Sequence, residues 1–153
     1  MVFYDYDEIA AKRFEQILET LKDKNKDSLR TMFSQKALED SKDIDEDIDY
    51  LFSFFQGEIV SWKQDNGSPI INQSFDYGNR MSEMQSFFTI DTDVQKYIVV
   101  IFEYTEDTAN PGNVGLYTLR VIKAENKDEE TQFGYWLDIE NPGIYCPGMR
   151  SAN

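Results

Sequence analysis

The sequence contains no histidine and only one cysteine. Without histidine, catalytic triads and dyads that use an imidazole base are excluded, and the commonest zinc ligand is missing. The single thiol, Cys146, has no partner for an internal disulfide or a Cys-x-x-Cys motif. The sequence therefore predicts no metal site, no cofactor and no identifiable catalytic residues.

Basic residues are also few. Only 15 Lys and Arg stand against 29 Asp and Glu, which gives a net charge of −14. Such a surface repels phosphate backbones and anionic membranes, so nucleic acid is not an expected partner, whereas a cationic protein is. The longest purely apolar run, residues 98–102, is far shorter than the roughly 20 residues that cross a bilayer.

What the sequence does have is enough apolar bulk for a core. Apolar residues make up 41% of the chain and aromatic residues 14%, which is too much for a disordered chain. No linker, repeat or low-complexity tract interrupts the 153 residues. We therefore predict a single domain over residues 1–153, with its core between about residues 5 and 147.

Helical periodicity occupies the first third of the chain, where three apolar stripes predict three helices. The stripes are Ala10, Phe14, Ile17, Leu18 and Leu21; Leu29, Met32, Phe33 and Ala37; and Ile44, Ile48, Leu51, Phe52 and Phe55. Asp5 and Glu8 are spaced as a capping box before the first stripe. Gly57 is placed to end the third helix as a left-handed cap.

After Gly57 the apolar period changes from helical spacing to two. Strands are predicted over 58–63, 70–77, 84–90, 97–104, 116–123 and 132–138. Asn66-Gly67 predicts a hairpin between the first two strands, and Gly78-Asn79 predicts a second turn. The stretch 97–104 is apolar on both faces and is expected to be central, while Pro and Gly after residue 140 break up the chain end. The order predicts an α+β fold with five or six mainly antiparallel strands.

The four alternate aspartates of residues 43–49 are open to two interpretations. An EF-hand loop starting at Asp43 needs Gly at its sixth position and Glu at its twelfth, where Ile48 and Phe54 stand. A helix start explains more, because Asp43 is placed to cap, Glu46 completes a capping box, and the other acids form the wet face. We interpret the stretch as a capped helix and expect no useful calcium affinity.

Three stretches resemble a family of uncharacterised domains in small lipoproteins of low-GC Gram-positive bacteria. They are IDYLFSFFQGEIVSW (48–62), QKYIVVIFEYTEDTANPGNVGLYTLRVIKAE (95–125) and FGYWLDIENPGIYCP (133–147). The layout also resembles the nuclear transport factor 2-like (cystatin-like) cone, three helices packed on a strongly curved sheet. The resemblance implies export and lipid anchoring on the extracellular face of the bacterial membrane. It carries over no catalytic residues.

Cones of this kind commonly hold a pocket between sheet and first helix, which would bind an unknown small molecule. The candidate ligand-binding residues are Trp62, Glu103, Tyr104, Tyr117, Arg120 and Trp136. Glu103 and Arg120 interrupt apolar strands and would line the pocket as acid and cation, or else form a surface ion pair. The aromatic residues would form a ligand wall, or else fill the core or an interface.

Glu103 and Tyr104 are strand neighbours, so only one of them faces the interior. Apolar patterning does not choose between them, but the desolvation of an ionised carboxylate does. We therefore expect Tyr104 inside and Glu103 in solvent. An inward Glu103 would need Arg120, the only cation set within an apolar strand.

Three functions are consistent with these residues. The first, which we favour, is a non-catalytic extracellular binding or interaction domain. The second is a small enzyme that transfers protons with Glu103 or Asp76 as base and Tyr104 or Tyr117 as donor. The third is an acidic immunity or inhibitor protein that binds a basic toxin. A homodimer would cover the outer sheet face that the doubly apolar strands suggest.

Overall fold

Helices occupy the first third of the chain and strands follow in the rest of the part that the structure describes, as the periodicity predicts. The computed structural model describes residues 5–65, 68–127 and 141–149. The helices are α1 (Tyr6–Asp23), α2 (Lys26–Met32), α3 (Gln35–Asp40) and α4 (Ile44–Phe54). The strands are β1 (Ile59–Gln64), β2 (Ile70–Asp76), β3 (Asn79–Thr92), β4 (Lys96–Asp107), β5 (Gly115–Lys123) and β6 (Gly143–Tyr145). The predicted α+β class, with helices followed by a curved and mostly antiparallel sheet, is confirmed.

Both predicted capping residues cap their helices. Asp5 Oδ1 accepts a hydrogen bond from the Glu8 amide at 3.1 Å, and Asp43 Oδ1 accepts one from the Glu46 amide at 3.0 Å. Each carboxylate satisfies a backbone donor that has no partner within its helix. The capped-helix interpretation of residues 43–49 is therefore confirmed.

The second predicted helix is divided into two short ones. Phe33 is extended, and Ser34 caps α3 by accepting a hydrogen bond from the Ala37 amide at 3.0 Å. The Ser34 amide donates to the Leu116 carbonyl at 2.9 Å, so the backbone between α2 and α3 is bonded to β5. The apolar spacing is continuous through Phe33, but pairing with the sheet opens the helix at that point.

Gly57 does not cap the third predicted helix. That helix, α4, ends at Phe54, and its C-cap Phe55 is extended. Gly57 has φ +95°, and a Cβ placed there would lie 2.6 Å from side-chain oxygens of Thr92 and Asp93. The glycine is required because the chain entering β1 passes directly against the turn between β3 and β4.

The sheet is organised around the long strand β3. Its order is β1-β3-β4-β5-β6, with β2 also paired to β3, and β6 runs parallel to β5. The predicted hairpin between β1 and β2 is wrong, because β1 pairs with residues 88–92 of β3 and β2 with residues 79–85. The turn between β2 and β3 is Tyr77-Gly78, one residue earlier than predicted. Asn66-Gly67 and the predicted strand 132–138 lie outside the described residues.

The core lies between the helices and the inner face of the sheet. Phe14 of α1 stacks on Phe88 of β3 at 4.0 Å between ring centroids. β4 lies between β3 and β5, which confirms its predicted central position. Its outer-face residues Ile98 and Val100 are also buried, at 6% and 1% exposure. Because one chain already buries this face, its apolar pattern no longer argues for a homodimer.

In the described part of the chain, every helix is too short or too polar to span a membrane.

Candidate functional site

Glu103 faces the interior, so the prediction that Tyr104 points inward and Glu103 is solvated is wrong. Glu103 is 3% exposed and continues the inner face of β4 after Val99 and Ile101. Its Oε2 accepts a hydrogen bond from Arg13 Nε at 2.7 Å. The cation is therefore Arg13 of α1 and not Arg120, as we had predicted for an inward acid.

Arg13 is a residue that our sequence reasoning missed. Its side chain is 25% exposed, and its Nη1 also donates to Gln16 Oε1 at 3.0 Å. It stands four residues after Ile9 and four before Ile17, so it replaces an apolar residue within the stripe of α1. A cation at a stripe position is the signal that would have identified it.

The Glu103–Arg13 pair has an unusual electrostatic balance. Burial raises the pKa of the Glu103 carboxyl, while the charge of Arg13 and its hydrogen bond lower it. The net direction is upward, opposite to the effect of an ion pair alone, because burial outweighs Arg13. Perturbed carboxyls occur at catalytic sites and also in structural ion-pair networks.

Arg120 lies on the opposite face of the sheet from Glu103. It pairs in register with Val100 on the outer face and is 2% exposed. Its guanidinium carbon stands 4.7 Å from the ring centroid of Tyr145 in β6. Arg120 and Tyr145 are register partners in the neighbouring strands β5 and β6, and their side chains pack together on the outer face, where a cation over an aromatic ring is stabilised.

The predicted aromatic residues also divide between the two faces. Tyr104 and Tyr117 lie 5.8 Å apart on the outer side, each in edge contact with Phe102. Burial is the main cause that raises the pKa of Tyr104. Trp62 belongs to the inner side, 5.0 Å from Phe14 between ring centroids. Trp136 lies outside the described residues. The candidate residues thus do not form one pocket.

The aspartates of α4 have separate environments and do not converge. Asp45 pairs with Arg30 at 3.4 Å and Asp49 with Lys26 at 2.8 Å. Asp47, which we predicted on the wet face, is buried at 5% exposure. It lies three residues after Ile44 and four before Leu51, so helical spacing places it on the buried face. Among the described residues, no three acidic or cysteine side chains are grouped for a metal ion.

A groove of about 530 Å³ opens where the ends of α1 and α4 meet the start of β1; we call it the α4–β1 groove. It is lined by Leu21, Lys22, Lys24, Phe52, Ser53, Phe55, Gln56, Gly57, Glu58, Ile59, Asp93 and Val94. Two contacts hold its walls: Lys24 Nζ donates to the Phe52 carbonyl at 3.0 Å, and the Glu58 amide donates to Asp93 Oδ1 at 2.8 Å. Glu103 is not among its lining residues.

The apolar part of the groove comes from the core helices. Leu21, Phe52 and Phe55 are each at most 8% exposed and present one edge to the groove. Lysines and acids stand beside them on the same lining. The two lysines and two acids give the lining more charge than most small-molecule sites have, and the volume lies in the usual range of such sites, about 300–1,000 Å³.

Comparison with protein families gives one match. Residues 16–124 match the family described as "Domain of unknown function (DUF5104)". The matched range begins within α1, after Arg13, and ends just beyond β5, so it includes Glu103 and every residue that lines the α4–β1 groove. No curated protein matches the chain.

Proposed function

The chain belongs to the family described as a domain of unknown function (DUF5104), and because that description assigns no activity, we propose from its geometry a non-catalytic binding domain. The observation that carries the proposal is the α4–β1 groove, with its apolar floor and charged lining. The ligand that we propose has an apolar body and an acidic group: Lys22 supplies the cation, whereas Lys24 is bonded to the Phe52 carbonyl and Asp93 to the Glu58 amide.

The Glu103–Arg13 contact supports binding rather than proton transfer. A general base must reach the proton that it removes, within hydrogen-bond distance or through one water. Glu103 is instead bonded to a side chain of its own protein at 2.7 Å, and it lies away from the lining of the groove. Asp76, the other candidate base, stands at the exposed turn between β2 and β3, far from any enclosed surroundings.

We also propose that the domain is displayed on the outer face of a bacterial cell membrane, lipid-anchored, with a nuclear transport factor 2-like cone. Support comes from the resemblance of the quoted stretches and from the order of helices and curved sheet. Metabolic labelling of the native protein with a palmitate analogue in its host tests the anchor. Label should be retained after denaturing electrophoresis, and its absence would remove the lipoprotein part of the proposal.

Binding in the groove is tested with 8-anilinonaphthalene-1-sulfonate, a dye with an apolar body and one anionic group. We expect saturable, one-site fluorescence enhancement under native conditions. Lys22→Glu should weaken the affinity about fivefold or more, because it reverses a charge on the lining. Lys63→Glu, on an exposed residue of β1 outside the groove, is the matched control and should bind as the wild type does. Non-saturable enhancement, or equal effects of both substitutions, would refute the proposal.

A further inference from the structure

The strand β2 presents an open edge. It pairs with β3 through seven consecutive positions, from Ile70 opposite Gln85 to Asp76 opposite Asn79. In the part of the chain that the structure describes, no strand is paired to its other side. Six of its seven residues are exposed, and the Phe75 side chain reaches 73% exposure. The edge is therefore accessible along its whole length.

The turn fixes which backbone groups point outward. Tyr77 and Gly78 have φ of +51° and +82°, as in the two-residue turns that join closely paired strands. Asp76 and Asn79 then form a hydrogen-bonded pair, and the bonded positions of β2 alternate from there. Ile71, Gln73 and Phe75 consequently direct their N–H and C=O groups away from β3. These groups form the ladder that an added strand would use.

The usual protections of an edge strand are absent from β2. Soluble proteins block edges with lysine, proline or a bulge. Pro69 directly precedes β2, but the sequence IINQSFD itself has neither lysine nor proline, and the register with β3 is continuous over all seven pairs. Ile70 and Phe75 add apolar contact area, at 49% and 73% exposure. The edge is suited to pairing with another chain.

The charge beside β2 selects the kind of chain. Gln73 Nε2 donates to Tyr6 Oη at 2.7 Å, which places the first turn of α1 beside the strand. That turn carries Asp7 and Glu8, with Asp5 as its cap, and Glu8 pairs with Lys12 at 3.2 Å. Asp76 adds an exposed acid at the end of β2 itself. A second copy of the chain would bring the same acids and a net charge of −14 against them. A basic segment is instead attracted by the acids beside β2 and by the negative net charge of the chain.

We propose that β2 binds an extended lysine- or arginine-rich segment of a partner protein as an added strand. The backbone of Ile71, Gln73 and Phe75 pairs with the segment, and the acids at the start of α1 attract its basic side chains. This surface is separate from the α4–β1 groove, so each site is tested independently of the other.

The probe is the rhodamine-labelled, amidated peptide Lys-Val-Lys-Val-Lys-Val-Lys. Its binding is measured by fluorescence anisotropy. We expect saturable binding by the wild-type protein and none by the analogue with Glu at every Lys position. Gln73→Pro should weaken binding at least about tenfold, because proline removes an outward N–H and places its ring on the edge. Gln73→Ala, which loses only the contact with Tyr6, should stay within about twofold of the wild type.

A second measurement does not depend on whether Gln73→Pro folds. Two further peptides carry N-methyl groups on the three valines or on the four lysines, with all charges kept. Strand pairing requires at least one of them to bind about tenfold more weakly, since one set of peptide N–H groups faces β2. Equal affinities for all three lysine peptides would overturn the proposal, because charge alone would then explain binding. The proposal would also be overturned if light scattering showed that the wild type is a dimer and that Gln73→Pro is a monomer. A second copy of the chain would then occupy the edge of β2.

Discussion

Removing Arg13 should destabilise the protein in a pH-dependent way. In Arg13→Met, the buried Glu103 loses the guanidinium that contacts it at 2.7 Å. Breaking a buried ion pair by removing one partner costs about 3–5 kcal/mol. Arg13 is a quarter exposed, so water partly screens the pair, and we expect the lower end of that range, about 3 kcal/mol, at pH 8.

The sign of the pH dependence follows from the pKa of Glu103. Burial raises this pKa in the folded protein above the ordinary value of 4.5. The folded protein therefore holds the Glu103 proton more tightly than the unfolded chain does. The stability that comes from this proton is complete below about pH 4.5 and is lost as pH rises through the folded pKa. Arg13 opposes that rise. Without Arg13 the folded pKa moves higher, and stability continues to fall with pH over a wider range, by at most about 1.4 kcal/mol per pH unit.

Urea denaturation of both proteins at pH 4 and pH 8 measures the effect. At pH 4 the difference between wild type and Arg13→Met should shrink to about 1 kcal/mol, the contribution of a neutral hydrogen bond and packing. Lys12→Met is the matched control, since Lys12 is the preceding residue of α1 but 71% exposed, in a surface pair with Glu8. It should change stability by less than about 0.5 kcal/mol at either pH. A deficit for Arg13→Met that is the same at both pH values would refute the electrostatic reasoning.

Three further predictions concern packing, backbone conformation and reactivity. In urea denaturation, Phe52→Ala should lower the free energy of unfolding by about 3–5 kcal/mol. Phe75→Ala, at an exposed position, should change it by less than about 0.5 kcal/mol. A loss below about 1 kcal/mol for Phe52→Ala would show that Phe52 is not in the core. Gly115→Ala should lower the free energy of unfolding by more than about 2 kcal/mol, because φ is +132° and a Cβ would lie 2.9 Å from backbone between α2 and α3. Gly78→Ala, with open space around it, should lower it by only about 1 kcal/mol. Equal losses would contradict this explanation. Burial raises the pKa of the Cys146 thiol, so Ellman's reagent at pH 8 should label it only after unfolding in urea, and rapid labelling of the folded protein would disprove its burial.

The helices were predictable because their signals are local. A capping carboxylate and the amide that it accepts from are three residues apart, as at Asp5 and Asp43, and an apolar stripe repeats within one turn. Three details escaped prediction: the end of α4 at Phe54, the burial of Asp47 and the break at Phe33. The break depends on a hydrogen bond to β5, more than eighty residues later in the chain.

Strand pairing was less predictable than strand position. The sequence places β1 and β2 beside a strong turn signal, which favours a hairpin. β3 has 14 residues, long enough to pair with β1 at one end and with β2 at the other. Both arrangements satisfy the same alternation of apolar residues, so the period of each strand does not specify its partner.

The orientation of β4 shows where the missing information lay. Residues 97–104 are apolar on both faces, so alternation places either Glu103 or Tyr104 inside. The desolvation argument correctly required a cation for an inward acid, but we searched for that cation only on the strands. The cation is on a helix, 90 residues away, at a stripe position where an apolar residue is expected. An acid interrupting a doubly apolar strand and a basic residue interrupting a helical stripe therefore identify each other, because each one alone would be too costly to bury.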